Sequence, residues 1–252
     1  RRSNMIINAF DNSEVIFGPK DFYGEQKHLC EKCMIIFSEL IFDYMLENYT
    51  HEIVGTIRCC NGITPVYVFE IEGMKIAGYL SHIGSALAGS DAIDANWLTG
   101  ADKFIMFGSA GSLDSDATTG KFVIPTESYR EEGFSYHYAS PADYIKIKNS
   151  DTVKSIFDEL KLPSVQGKVW TTDAIYRETK AKLDARKSEG CIAVEMELAG
   201  AQAVCDFYGW ELYDFLVTGD VLDQAVYDVS GFAHANHGIE KLYIAIEIAK
   251  RV

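Results

Sequence analysis

Long apolar runs are missing from these 252 residues. No segment approaches the roughly 20 apolar residues that a membrane-spanning helix needs. No apolar core near the N-terminus has the form of a secretory signal. Cations are scarce as well: Lys and Arg number 23 against 37 Asp and Glu, a formal net charge of −14. Such a surface repels phosphate backbones, which argues against nucleic acid and membrane partners. A small anionic ligand would need a local site of amides or an Arg. Proline is rare, at 5 residues, and no Pro-rich or low-complexity linker divides the chain. One domain over 1–252 is expected, with ample length for a large core. The six cysteines form no metal framework. Cys30 and Cys33 are spaced C-x-x-C and Cys59 and Cys60 are adjacent, but zinc would want a second spaced pair or His partners. Cys33 and Cys205 fall on apolar stripes read as helical, so buried thiols, no metal and a cytoplasmic location are expected. The chain opens on Arg1-Arg2 without Met, so a few native residues are expected ahead of it.

What is present is apolar periodicity. Residues 1–24 read as irregular, broken by Gly18-Pro19 and Gly24. Residues 25–48 read as one helix, with Leu29, Cys33, Ile36, Phe37, Leu40 and Tyr44 as its stripe. Strands are expected at 53–59, 66–71 and 75–80, split by Asn61-Gly62 and by a tight turn at 71–74. A helix to about 98, strands at 104–107 and 121–125, a Tyr-rich mixed stretch at 126–150, a helix at 152–160 and a strand at 165–170 follow. A last helix begins near Gly238. Hairpins early and alternating strands and helices later predict an α/β fold, a single domain with a mixed, twisted central sheet flanked by helices.

The chemistry concentrates near residue 195. A short strand, 192–194, runs into Glu195-Met196-Glu197, then into a small-residue helix that Gly209 stops. The next strand ends at Thr218-Gly219-Asp220. Ligands bind at the carboxyl ends of strands in such sheets, so Glu197 and Asp220 are expected in one pocket. A carboxyl in an apolar setting has its pKa raised. Two Gly/Ser segments support a ligand site: His82-Ile83-Gly84-Ser85 before a helix, and Gly108-Ser109-Ala110-Gly111 after a buried strand.

The V-E-M-E helix and the following Asp resemble the nucleoside phosphorylase and nucleosidase family, over roughly residues 65–250. The family has S-D where this chain has Gly219-Asp220. The resemblance implies cleavage of an N-glycosidic bond with no metal or organic cofactor, and inorganic phosphate as co-substrate. Glu197 would hold the ribose hydroxyls and Asp220 would protonate N7 of a leaving purine. Glu195, Met196, Ser109, Ala110, Gly111, Ile175, Tyr176 and His137 would contact the nucleoside. Gly84, Ser85, Gly108 and Ser109 would hold phosphate. Met106 stands where many phosphorylases carry a phosphate-binding Arg, and the family's G-D-P-x-R opening is absent, so Arg58, lent by a neighbouring subunit, is expected to substitute. The run 129–141 resembles the uridine phosphorylase branch, yet Thr179 and Ala181 occupy the places of the Gln and Arg that read uracil there. A purine nucleoside is the expected substrate, hydrolysis by water the alternative reaction, and nucleoside binding without catalysis a third reading. The resemblance also implies a homo-oligomer, a hexamer or a dimer.

Overall fold

The run Lys32–Ile36 is the middle of the sheet rather than part of a helix. Cys33 through Ile36 are all fully buried. A short apolar run buried on both faces has no helical or alternating signature of its own, so periodicity alone misassigns it. The expected helix over 25–48 is therefore a strand followed by a helix. The structure, a computed structural model, describes residues 9–60, 62–224 and 226–252.

In chain order the strands are β1 (Lys32–Ile36), β2 (Thr50–Cys59), β3 (Gly62–Ile71), β4 (Met74–Leu80), β5 (Lys103–Ser112), β6 (Phe122–Glu131), β7 (Tyr144–Lys146), β8 (Ser164–Thr172), β9 (Cys191–Glu195) and β10 (Glu211–Val221). The helices are α1 (Pro19–Tyr23), α2 (Glu39–Asn48), α3 (Ser85–Thr99), α4 (Ser115–Thr118), α5 (Ser150–Glu159), α6 (Lys180–Ser188), α7 (Leu198–Tyr208), α8 (Phe232–His237) and α9 (Glu240–Ala249). The short helix α1 lies in the stretch read as irregular. Residues 1–8 of that stretch, and Asn61 of the expected turn, lie outside the described residues.

The sheet runs β10-β6-β8-β9-β5-β1-β4-β3-β2, and β10 also pairs with β5. Five strands thus close on themselves, and β1, β4, β3 and β2 extend from that ring as an antiparallel-edged wing. Closure is possible because β5 has two partners on one side. Its first half pairs with β1, at Lys103–Phe107, and its end pairs with β9, at Gly111 and Ser112. A mixed sheet was expected; its closure was not.

Alternate residues of β1 feed two cores, as the period of two requires. Cys33 and Ile35 pack with Ala92, Ala95, Leu198, Ala201 and Cys205 under α3 and α7. Met34 and Ile36 pack with Phe42, Phe157, Phe215, Leu242 and Ile246 under α2, α5 and α9. Cys33 is buried as expected, on a strand. The small residues of α7 permit a close approach to α3: a Cβ on Gly200 would lie 2.6 Å from Cβ of Ser85. Gly209 ends α7 in the left-handed conformation, φ 75°, donating its N–H to the Cys205 carbonyl.

Candidate functional site: a carboxyl-lined cavity at the strand ends

The turn from β9 into α7 is built by its two glutamates. Glu195 is only 5% exposed. Its Oε2 accepts the Glu197 and Leu198 amides, each at 2.7 Å, and its Oε1 accepts the Thr171 hydroxyl from β8. It therefore satisfies orphan amides at the start of α7. Glu197 is held from the other side. Its Oε1 accepts the Gly84 amide at 2.6 Å, and Oε2 has no protein partner among the described residues. The Ser85 hydroxyl donates to the Met196 carbonyl at 3.1 Å. Gly84 and Ser85, expected on phosphate, are thus engaged in holding the 196–197 turn and stand outside the cavity lining.

Asp220 reaches the same place from β10. The strand carries a bulge between Thr218 and Asp220 where it pairs with β5, and such a bulge re-aims the side chains after it. The carboxylate lies over Gly111, where a Cβ would stand 3.3 Å from Asp220 Oδ1. The Tyr227 hydroxyl donates to Oδ2 at 2.8 Å. Gly219 replaces the family's Ser for a steric reason: a Cβ there would lie 2.7 Å from Cβ of Ala235 on α8. At the end of β5, the Ser109 hydroxyl donates to Oδ1 of Asn236 on the same helix.

These elements enclose a cavity of about 370 Å³. Among the expected site residues, Gly108, Ser109, Ala110, Gly111, Ile175, Glu195, Met196, Glu197 and Asp220 line it. Tyr176 is 96% exposed and lines an adjoining, wider groove of about 1270 Å³ that shares Ile175 and Glu178 with the cavity. His137 does not reach the cavity of its own chain: it is exposed, at the end of a turn of 3₁₀-helix, Ser135–His137. Arg58 is exposed on β2, the edge strand of the wing, and is likewise outside the lining. Arg130 is buried and donates to Ser135 Oγ and to the Ser140 carbonyl.

Several lining residues were not among the expected site residues: Phe37, Glu178, Asp214, Asn236, His237 and Lys241. Glu178 and Asp220 lie close enough to repel, and burial with that repulsion lifts the Glu178 carboxyl to about 7. Lys241 is buried, donates to the Asn236 carbonyl at 3.0 Å, and has its pKa lowered to about 8 by desolvation. A polar residue inside an apolar stripe is the only trace of Lys241 or Asp214 in the sequence. Among the described residues no arginine lines the cavity; five carboxyls line it together with Lys241 and His237. Among the described residues no group of three or more His, Cys, Asp or Glu is arranged to hold a metal ion, and no helix is long and apolar enough to cross a membrane.

The buried acids give a stability prediction. Burial, then the charge of Glu197, pushes Glu195 up to about 8; burial pushes Glu197 up to about 7. Asp214 is raised well above the ordinary range by burial and then by the two glutamates. Folding therefore favours the protonated forms. Their contribution is complete below the ordinary carboxylate value of 4.5 and is lost as pH rises through about 7 and 8. Thermal unfolding should show a higher Tm near pH ~5 than near pH ~8.5, the slope should shrink in Asp214→Asn, and a Tm that rises over that interval would contradict the assignment.

The sequence matches the Phosphorylase superfamily over residues 42–241. Among curated proteins it is 34% identical over 129 residues to an uncharacterized protein, R802, of Acanthamoeba polyphaga mimivirus, covering 49% of this chain and 48% of that one. It is 26% identical over 219 residues to a DeoD-type purine nucleoside phosphorylase of Caldanaerobacter subterraneus, covering 82% and 89%. The chain spans about half the length of the first curated relatives it matches, 48% and 53%. Among solved structures, futalosine hydrolase of Helicobacter pylori superposes with a TM-score of 0.70 at 16% identity, over 89% of this chain and 99% of that one. AMP nucleosidase of Bacteroides thetaiotaomicron superposes with a TM-score of 0.66 at 18% identity, over 98% and 95%. These two share the fold. The match of 42–241, which takes in the closed ring, both glutamates and Asp220, shows that this chain belongs to the phosphorylase superfamily.

Proposed function

We propose that the protein cleaves the N-glycosidic bond of a purine nucleoside. The observation that carries this reading is the meeting of Glu197 and Asp220 in one cavity, from the ends of β9 and β10. Cleavage builds positive charge on the ribosyl ring and negative charge on the departing base, and the two carboxyls serve opposite ends of that separation. Glu197, with Oε2 unpaired, accepts hydrogen bonds from the ribose hydroxyls. Asp220, oriented by Tyr227, delivers a proton to N7 of the base. Met196 and Ile175 line the cavity's apolar side, and its volume falls within the range of small-molecule sites. No cofactor is required.

The ribosyl acceptor is phosphate or water. Phosphorolysis, giving a sugar 1-phosphate in nucleoside salvage, is favoured by relatives named purine nucleoside phosphorylases and by Gly108 and Ser109 in the cavity lining. Hydrolysis is favoured by the carboxyl-rich lining, which holds no arginine among the described residues. In a homo-oligomer, dimer or hexamer, a neighbour's Arg58 and His137 would complete the site; exposed Phe207 and Tyr208 beside Tyr138 offer contact surface. The protein acts in the cytoplasm. The test is release of free base from a panel of purine and pyrimidine nucleosides, with and without inorganic phosphate. Release from purine nucleosides and not from uridine is expected. Silence across the panel, with nucleoside still bound, would leave a binding protein instead.

A further inference from the structure

The groove beside the cavity is larger than the cavity itself, about 1270 Å³ against about 370 Å³, and the glycosidase reading gives it no task. The two meet along Ile175, Glu178, Phe232, Asn236 and His237. The 2.8 Å hydrogen bond from Tyr227 to Asp220 spans the junction, because Asp220 lines the cavity and Tyr227 lines the groove. Among the described residues Glu195, Met196 and Glu197 line the cavity and not the groove. The groove therefore opens beside Asp220 rather than beside the two glutamates.

The lining selects the occupant. Ile175, Tyr176, Tyr227, Val229 and Phe232 are all exposed along the groove, and grouped exposure of large apolar side chains marks a binding surface. The lysines there are neutralised by their neighbours: Lys187 pairs with Asp223 and Lys180 with Asp184, each at 3.2 Å. Among the described residues neither lysine of the groove is left for an anion. Such a lining suits an uncharged apolar group. The purine ring fixes where that group must be attached. On one side N7 is bonded to C8, which is next to N9 and so faces the ribose. On the other side it is bonded to C5, and the substituent on C6 projects away from the sugar. With the ribose at Glu197 and N7 at Asp220, a group on C6 passes Tyr227 and enters the groove. We infer that the groove is a subsite for an apolar substituent on the 6-amino group of the purine, and that the preferred substrate is an N6-alkyl or N6-aryl adenine nucleoside rather than adenosine. This rests on the glycosidase reading above. The bond cleaved is the same, and the substituent leaves with the base. Its burial against Tyr176 and Val229 tightens binding. Glu178, at the junction, is an acceptor for the N–H that remains on the 6-nitrogen.

The experiment uses the full chain, with inorganic phosphate present. Base release is followed from adenosine, N6-benzyladenosine and N6-(carboxymethyl)adenosine, in wild type and in Val229→Glu, with Tm as a control. Val229 lines the groove and not the cavity, so the variant should keep the wild-type rate on adenosine. In wild type, kcat/KM should be about 10-fold or more higher for N6-benzyladenosine than for adenosine, mainly through KM. The carboxymethyl compound should show no gain, and Val229→Glu should lose most of the benzyl gain. A kcat/KM for N6-benzyladenosine at or below that of adenosine would overturn the inference while leaving the glycosidase reading intact. So would a benzyl gain that survives in Val229→Glu, an equal gain from the carboxymethyl compound, or release from other purine nucleosides but none of these three. No base release from any purine nucleoside would overturn both. Should Val229→Glu fail to fold, the comparison of the three substrates in wild type still decides.

Discussion

Asp220→Asn should lower turnover of purine nucleosides by about 10²–10⁴-fold, the usual range for removing a general acid. The departing purine is a poor leaving group until N7 is protonated, so the loss should appear in kcat. The substitution keeps the shape of the side chain over Gly111 and preserves an acceptor for the Tyr227 hydroxyl, so the fold at the bulge should survive. Steady-state rates of wild type and variant on one purine nucleoside, with Tm as a control, check this. A variant rate within a few-fold of wild type would sink the assignment of Asp220 as the acid.

Glu197→Ala should cost a comparable amount by a different route. Charge-assisted hydrogen bonds are worth about 1.5–3 kcal/mol each, and the two ribose hydroxyls proposed to bind Glu197 set the scale at roughly 10²–10⁴-fold in kcat/KM. Part of the loss should fall on KM, because the hydroxyls are held in the ground state as well. A nucleoside lacking the 2′-hydroxyl should be less sensitive to the substitution than the ribonucleoside. Equal losses on both substrates would mean that Glu197 does not hold that hydroxyl. The Gly84 amide loses its acceptor in this variant, so Glu197→Gln is the milder control. Gln can keep that hydrogen bond while removing the charge, and most of the loss should persist.

The sequence made the site legible where chain neighbours define it. The V-E-M-E turn is local: a strand, two carboxyls and a small-residue helix lie within a few residues, and Glu195 meets the amides two and three positions on. The Gly108–Gly111 segment and Asp220 end strands whose apolar runs are readable. Gly84 and Ser85 were read as a ligand loop because exposed amides before a helix suit an anion. The structure gives that amide to Glu197, 113 residues away. His137 and Arg58 were placed by resemblance alone, and neither reaches the cavity of its own chain.

By itself, then, the sequence determined the α/β alternation, the strand-end carboxyls Glu197 and Asp220, the stop at Gly209 and the acidity of the whole. All follow from periodicity, composition or contacts a few residues long. Only the tertiary structure decided that 32–36 is a central strand, because burial on both faces erases periodicity. Only the β5–β10 pairing closes the ring that sets Asp214 beside Met106. And only the packing of α8 and α9 brings Asn236 and Lys241 into the cavity with the glutamates. Those contacts join residues far apart in the chain, and their energy depends on desolvation and charge proximity, which no local spacing encodes.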